Sequence, residues 1–217
     1  LHLSIRRQRQ MCIRDRLYVN RVEGFVGINL KKDEFVSECS DIDDVIVFRN
    51  DGVCLVSRVQ DKVFVGKGII HVAVYKKGDE RMVYNMIYKD GISGRSMIKR
   101  FNILSVTRDK EYHLIKEAKG SKVWYFTANP NGEAEVVTVY LTAKSNARRK
   151  TFDIDFSDYE IKGRLASGNI VTKYPVRKVQ LKIAGKSTLG GLDVWYDDII
   201  GRLNTDDRGC LLYTSPS

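Results

Sequence analysis

Lysine and arginine set beside glycine are the residues in this chain best placed to do chemistry together. They occur in KVFVGK at residues 62–67, where Lys62 and Lys67 flank an apolar run. They occur again at Gly94-Arg95, followed by Lys99 and Arg100, and at Lys162-Gly163-Arg164, and all three stretches read as loops. Lys31 with Lys32, the run of Arg148, Arg149 and Lys150, and then Lys173, Arg177 and Lys178 add further charge. Glycine lets backbone amides come close to a phosphate while the neighbouring side chain supplies the cation. Contacts of that kind displace counterions and ignore base identity. Singly, each of these residues reads as a solvated surface charge. Together they recur at comparable points along the chain, and the pattern predicts a basic edge suited to a polyanionic partner.

Other groupings point to less. The DIDD run at residues 41–44 and the pair Asp197-Asp198 bring carboxylates together, but without the ligand spacing of a calcium loop. Acidic residues ahead of strands commonly form turns instead. His71 and His113 are far apart with no nucleophile pattern beside them, so they read as packing or surface residues. Trp124, Tyr125 and Phe126 read as a strand with one face in the core. No GxxxxGK[ST] loop is present, so ATP binding is not expected in this chain. No catalytic residue, metal or cofactor is assigned to it.

The elements that must position the cations are strands. Apolar residues alternate along most of the chain and do not recur at helical spacing. DVIVFRNDGVCLVSRV at 44–59 holds two β-branched runs around Asn50-Asp51-Gly52, a hairpin signal. Residues 86–101 repeat the design with a turn at Asp90-Gly91, and residues 122–141 with a turn at 129–132. Residues 161–176 turn at Ser167-Gly168-Asn169, and a last turn falls at Asp207-Arg208-Gly209. The turn glycines Gly52, Gly91, Gly132, Gly168 and Gly209 stand 39, 41, 36 and 41 residues apart. A period near 40 with several short strands per unit is the mark of propeller-like blades. The expectation is an all-β bladed repeat, with one helical candidate around 109–118. TAKSNARRK at 142–150 is the most linker-like stretch, set between two blades, and no domain boundary is placed there.

Both ends of the chain fit neither neighbour. One codon choice for residues 11–16, ATGTGTATAAGAGACAG, has the reverse complement CTGTCTCTTATACACAT. Read one base on, that complement encodes Cys-Leu-Leu-Tyr-Thr, which is residues 210–214. The inverted repeat resembles the transposon mosaic end used in sequencing-library preparation, and RRQRQ and TSPS can be read from the adapter arms beyond it. Residues 1–16 and 210–217 are therefore expected to be translated adapter, to be set aside before fold reasoning. They carry +4 of the formal +10, which leaves residues 17–209 at +6. That body is still basic and favours a polyanionic partner. Its two cysteines, Cys39 and Cys54, have no metal-ligand spacing and fit a reducing cytoplasm. No run approaches the ~18 apolar residues of a membrane span, and no signal-peptide pattern is visible.

VNRVEGFVGINLKKDEFVSECSDIDDVIVFRNDG, TRDKEY, YFTANPNGEAEVV, IKGRLASGNIVTKYPVRKV and GRLNTDDRG together resemble the C-terminal domain of the A subunit of bacterial type IIA topoisomerases, either gyrase or topoisomerase IV. The resemblance covers residues 17–209. It implies a β-pinwheel, a propeller-like ring whose blades exchange strands, here an incomplete ring of about four blades. It also implies a basic rim that binds and bends or wraps duplex DNA, in the bacterial cytoplasm at the nucleoid. The implied partners are a B subunit, which largely handles ATP and magnesium, and a second copy of the A subunit. The family's cleaving tyrosine lies in the N-terminal part of the A subunit, so this piece is expected to be non-catalytic. Gyrase A subunits carry a basic box of the kind QRRGGKG in the first blade. Residues 23–35 here read EGFVGINLKKDEF, a departure that favours a topoisomerase IV-like role. The alternative from the residues alone is a propeller-like protein-interaction scaffold without nucleic-acid affinity.

Overall fold

The computed structural model describes residues 15–116 and 118–189, and the backbone of three later strands at 193–197, 202–204 and 210–214. The chain forms two compact units. The first runs to Arg49 and adds Val53–Lys76 and Thr107–Tyr112; the second takes Asn50–Gly52, Lys77–Val106 and the chain from His113 onward.

In the first unit, β1 (Asp15–Asn20), β2 (Phe25–Gly27), β3 (Glu34–Cys39) and β6 (Val63–Phe64) make one sheet, in the order β3-β1-β2-β6. β4 (Asp44–Arg49), β5 (Val53–Arg58) and β7 (Ile69–Tyr75) belong to a second sheet, ordered β5-β4-β7. Leu17 and Val19 of β1 and Val26 of β2 pack with Val45, Val47 and Val72 of the second sheet. Burying a side chain of that size contributes about 1.5–3 kcal/mol. All four residues from Val45 to Phe48 are buried, so both faces of β4 are covered and the strand reads as a continuous apolar run. Gly24 closes the β1–β2 turn at φ 84°. A Cβ there would stand 2.5 Å from the Gly66 carbonyl oxygen, so conformation and space both demand glycine.

The second unit holds β8 (Val83–Lys89) and β9 (Ser96–Asn102), which form a hairpin. After them β10 (Glu111–His113) lies beside β5. The second unit continues with β11 (Lys122–Asn129), β12 (Glu133–Leu141), β13 (Thr151–Asp155), β14 (Ile161–Gly163), β15 (Asn169–Thr172) and β16 (Val176–Ser187). One sheet is ordered β11-β8-β9-β14, with β15 also on β9; the next is β13-β12-β16. Along β12 the alternate residues Glu135, Val137, Val139 and Leu141 are buried. The apolar members of that set pack with Ile87, Ile98, Ile154 and Phe156. β17 (Asp193–Asp197), β18 (Arg202–Asn204) and β19 (Cys210–Thr214) form a further sheet, ordered β18-β17-β19.

The all-β expectation holds: among the described residues the helical content is a single 3₁₀ turn, Phe156–Asp158. Hairpins also form as expected at β4–β5 and β8–β9. The left-handed glycine of the second turn is Gly94, φ 69°, while the Asp90 carboxylate accepts the Ile92 and Ser93 N–H groups. Residues 122–141 are not a hairpin. β11 pairs with β8, whereas β12 pairs with β13 and β16, so the turn at 129–132 carries the chain from one sheet to the next. Residues 161–176 are not a hairpin either, because β14 runs parallel and β15 antiparallel to β9. A turn signal fixes where the chain reverses, and leaves the pairing partner open. Each early sheet takes a strand that returns past a later hairpin: β6 past β4–β5, β10 past β8–β9 and β14 past β12–β13.

Two further expectations change. The helical candidate at 109–118 is interrupted by Asp109 at φ 58°, and Glu111–His113 is a strand. Residues 142–150 connect β12 and β13 inside one sheet, with the Leu141 N–H donating to Lys150 O at 2.8 Å. The turn at Asp207-Arg208-Gly209 lies outside the described residues, as do residues 1–14 and 215–217. Asp15 and Arg16 pair with Cys39 and Glu38, and β19 pairs with β17. Such pairing uses backbone groups common to all residues, so it carries no information about origin. Among the described residues no helix is long and apolar enough to cross a membrane.

Candidate nucleic-acid interface

The cations of the first unit sit at strand ends. Lys31 and Lys32 are exposed on the turn after β2, closed by the Asp33 N–H donating to Leu30 O at 2.9 Å. KVFVGK is not a loop. Its Val63–Phe64 core is β6, paired with β2, so exposed Lys62 and Lys67 stand at opposite ends of a short strand. Lys62 lies by the end of β2 that leads to Lys31 and Lys32, since Ile28 and Asn29 donate to Gln60 O and Asp61 O. Its ammonium rests over the Phe25 ring, 4.1 Å from the centroid. Lys67 is held between left-handed Gly66 and Gly68, φ 93° and 77°.

The second unit divides its cations between surface and interior. Arg95 is exposed at the end of the β8–β9 turn. Lys99 and Arg100, each 3% exposed, are turned into the domain. The Lys99 ammonium donates to Leu114 O and, at 3.0 Å, to Arg164 O. Burial pulls its pKa down to about 8. Arg100 donates through Nε to Asn85 Oδ1 at 3.2 Å, and through Nη2 to Gly132 O at 2.7 Å and Thr188 Oγ1 at 2.8 Å. Asn85 in turn donates to buried Glu135 at 2.8 Å. Burial depresses the Arg100 pKa, while the Glu135 and Asp155 carboxylates oppose that. These two cations fasten strands and the turn at 129–132, so they leave the set of candidate phosphate contacts.

Lys162 is half-buried on β14, a strand where a glycine loop was expected, and Arg164 is half-buried with Nη1 donating to Ser105 O. Arg148 and Arg149 are exposed on the β12–β13 connection. Lys150 serves that loop, donating to Ala143 O at 2.5 Å and Ser145 O at 2.9 Å. Lys173 is exposed beside the Tyr174 ring, and Arg177 is exposed on β16. Lys178, half-buried, covers the Tyr140 ring at 4.6 Å. Sequence reading passed over Lys182 and Lys186 on the same strand, although the basic residues interleaved through VRKVQLKIAGKS signal them. Lys182 is paired with Asp153 at 2.5 Å, and hydrogen bonds from Lys182 and Thr138 hold that carboxyl below its usual range.

The remaining candidates resolve into packing. Asp43 caps the turn at 40–43 by accepting the Ser40 N–H at 2.8 Å, and Asp44 pairs with Arg108 at 2.7 Å. Asp198 and the side chain of Asp197 lie outside the described residues. Among the described residues no three His, Cys, Asp or Glu side chains gather into a metal-holding group. Burial, aided by Arg21, lowers the His71 pKa to about 4, keeping the ring neutral beside Phe48. His113 stands on the wall of an open cleft of about 440 Å³ with Tyr88, Asp90, Met97 and Leu165. Tyr125 packs on Phe156 and Phe126 on Tyr84, so both faces of β11 carry aromatic contacts. Cys39 and Cys54 are buried, and no disulfide joins them.

Comparison with known proteins adds the context. The family model described as "Topoisomerase C-terminal domain, Bacteroidota" matches residues 16–184. A curated relative, the A subunit of DNA topoisomerase 4 from Borreliella burgdorferi, is 26% identical over 168 residues. That match takes in 77% of this chain and 25% of the relative, so the chain spans about a quarter of its length. Among solved structures, the crystal structure of the C-terminal domain of DNA topoisomerase IV matches with a TM-score of 0.53 at 13% identity. It covers 94% of this chain and 73% of that one. The likeness is one of fold, and agrees with the propeller-like β-pinwheel expected from the sequence.

Proposed function

The chain belongs to the topoisomerase C-terminal domain family of the Bacteroidota, and from that premise we propose that it binds and bends duplex DNA for a type IIA topoisomerase. The observation that supports this most is the placement of exposed cations at strand ends and loop tips. Lys31, Lys32, Lys62 and Lys67 supply them in the first unit, and Arg95, Arg148, Arg149, Lys173 and Arg177 in the second. Such side chains reach phosphates without reading bases. In the full enzyme the domain would position a duplex for ATP-dependent strand passage. Its partners there would be a second copy of the A subunit, plus a B subunit that handles ATP and magnesium. That enzyme would work in the cytoplasm at the nucleoid, and this domain would do no chemistry of its own.

Residues 23–35 favour topoisomerase IV-like activity over gyrase-like supercoiling. They form β2, the Lys31–Lys32 turn and the start of β3, without a run of glycines and arginines. Residues 1–16 and 210–217 are proposed to be translated adapter. The family match, which begins at residue 16 and ends at 184, leaves nearly all of both segments outside it. The source read checks this: an insert continuing through other codons would refute it.

Fluorescence anisotropy with a duplex of random sequence, over a salt series, tests the DNA reading. Tight binding that weakens steeply with salt and shows no sequence preference is expected. A sample folded by circular dichroism that ignores the duplex at low salt would instead support the interaction scaffold.

A further inference from the structure

The outer face of the first sheet carries aromatic side chains that duplex binding does not use. With Leu17, Val19 and Val26 turned into the core, Tyr18 and Phe25 face the other way. Phe25 stands opposite Phe64 of β6, ring centroids 5.3 Å apart, and Tyr18 stands opposite Phe35 of β3, centroids 5.8 Å apart. Phe64 is 60% exposed and Phe35 51%. The two pairs are joined through β1 and β2, where Tyr18 lies opposite Gly27, two residues along β2 from Phe25. Two residues of strand span about 7 Å, a step an extended nucleotide chain can match. Gly27 is buried beneath the Asp61–Lys62 backbone, where a Cβ would stand 2.2 Å from Asp61 O, so that segment crosses between the two pairs and carries Lys62 there.

Cations border this platform. Lys62 sits directly over Phe25, and the turn bearing Lys31 and Lys32 follows from the same end of β2. Of the nearby acids, Glu34 is bound by Arg21 at 2.7 and 2.8 Å and Asp33 accepts from Asn20 at 3.0 Å; Asp61 adjoins Lys62. Arg16 also stands over Phe35 at 5.9 Å, but it falls in the segment attributed to adapter, so the platform is defined without it.

We infer that this face is a site for single-stranded DNA. The exposed rings of Phe35 and Phe64, on either side of the Asp61–Lys62 segment and bordered by lysines, offer stacking to unpaired bases and charge to their phosphates. A duplex keeps its base faces covered and has no use for the rings. The commitment is to DNA, the nucleic acid of the proposed function. The inference goes beyond the duplex reading and can fail without it.

Anisotropy of a labelled oligo(dT) strand with the 217-residue chain, competed by a blunt duplex of equal length, tests it. Oligo(dT) should bind at low salt. Phe64→Ala and Phe35→Ala should each weaken that binding by roughly 5- to 100-fold, while duplex affinity moves by less than about twofold. Both side chains are mostly exposed, so the fold should survive, and Phe64→Tyr should retain strand binding. Lys62→Ala should lower the salt slope for the strand by about 0.7. A chain that binds duplex but not oligo(dT) would overturn this inference alone, leaving the face to a protein partner. Equal losses for both ligands would overturn it too, by making the face part of the duplex surface. A chain that binds neither would defeat both readings.

Discussion

Strand β9 and the β12–β13 connection each carry an adjacent pair of cations, and their surroundings differ. β9 is paired on both edges and covered on both faces, so consecutive side chains point in opposite directions into the interior. Lys99 and Arg100 therefore each need protein partners, and find them in carbonyls, Asn85 and Thr188. Arg148 and Arg149 sit on a loop whose closure is handled by Lys150, so both heads remain in water. Adjacent charge on a chain is thus not one signal but two. What decides its use is whether the backbone beneath it is a covered strand or an exposed turn.

The largest test of that contrast removes Arg100. Its guanidinium secures the Gly132 carbonyl and, through Asn85, the buried Glu135 carboxylate. Arg100→Ala would leave that carboxylate without its nearby cation, at a cost of about 3–5 kcal/mol. Arg100→Lys should recover little, since an ammonium cannot reproduce the fork that serves Asn85, Gly132 and Thr188 together. Urea unfolding gives the measurement. A loss under about 1 kcal/mol would mean that the buried pair is no more structural than an exposed one.

Lys99 sharpens the contrast through pH. Its folded pKa, about 8, lies below the 10.5 of an unperturbed lysine. Between those values the unfolded chain holds a proton that the folded chain has released, so stability should rise with pH across that window. The full gain approaches roughly 3 kcal/mol. Unfolding free energies of the wild type and Lys99→Met, compared from pH 7 to 10, isolate it. Their difference should climb in favour of the wild type; a flat difference would place Lys99 in water.

How much of this was legible follows from the same residues. Strand content and the reversals at Gly52 and after Asp90 are written locally, in β-branched runs and turn residues, and they appear as expected, except that the left-handed glycine of the second is Gly94 and not Gly91. Partner choice is not local. Nothing within residues 122–141 says that β11 joins β8 while β12 starts another sheet, because alternation is the same in both arrangements. Burial on both faces of β9 depends on those non-local choices, which is why Lys99 and Arg100 read as surface charges. Lys62 and Lys67 were separated for a related reason, since the apolar pair between them is a strand that returns to β2. The aromatic face was legible in principle: Tyr18 and Phe25 are out of phase with Leu17, Val19 and Val26.

The smallest effect on stability, and the most informative for DNA, belongs to the exposed pair. Arg148→Ala with Arg149→Ala removes two solvated heads and no described hydrogen bond of the loop, so unfolding should shift by no more than about 0.5 kcal/mol. If both arginines meet phosphates, the slope of log affinity against log salt should fall by about two, uniformly across duplex sequences. Lys150→Ala provides the internal contrast, because its ammonium bridges Ala143 O and Ser145 O. It should loosen the loop and weaken binding indirectly, with a change in slope smaller than the double variant gives. Should the double variant leave the slope untouched while Lys150→Ala lowers it, the assignments within this loop would be reversed. The criterion would then fail as well: exposure at a turn would not suffice to make a cation a phosphate contact.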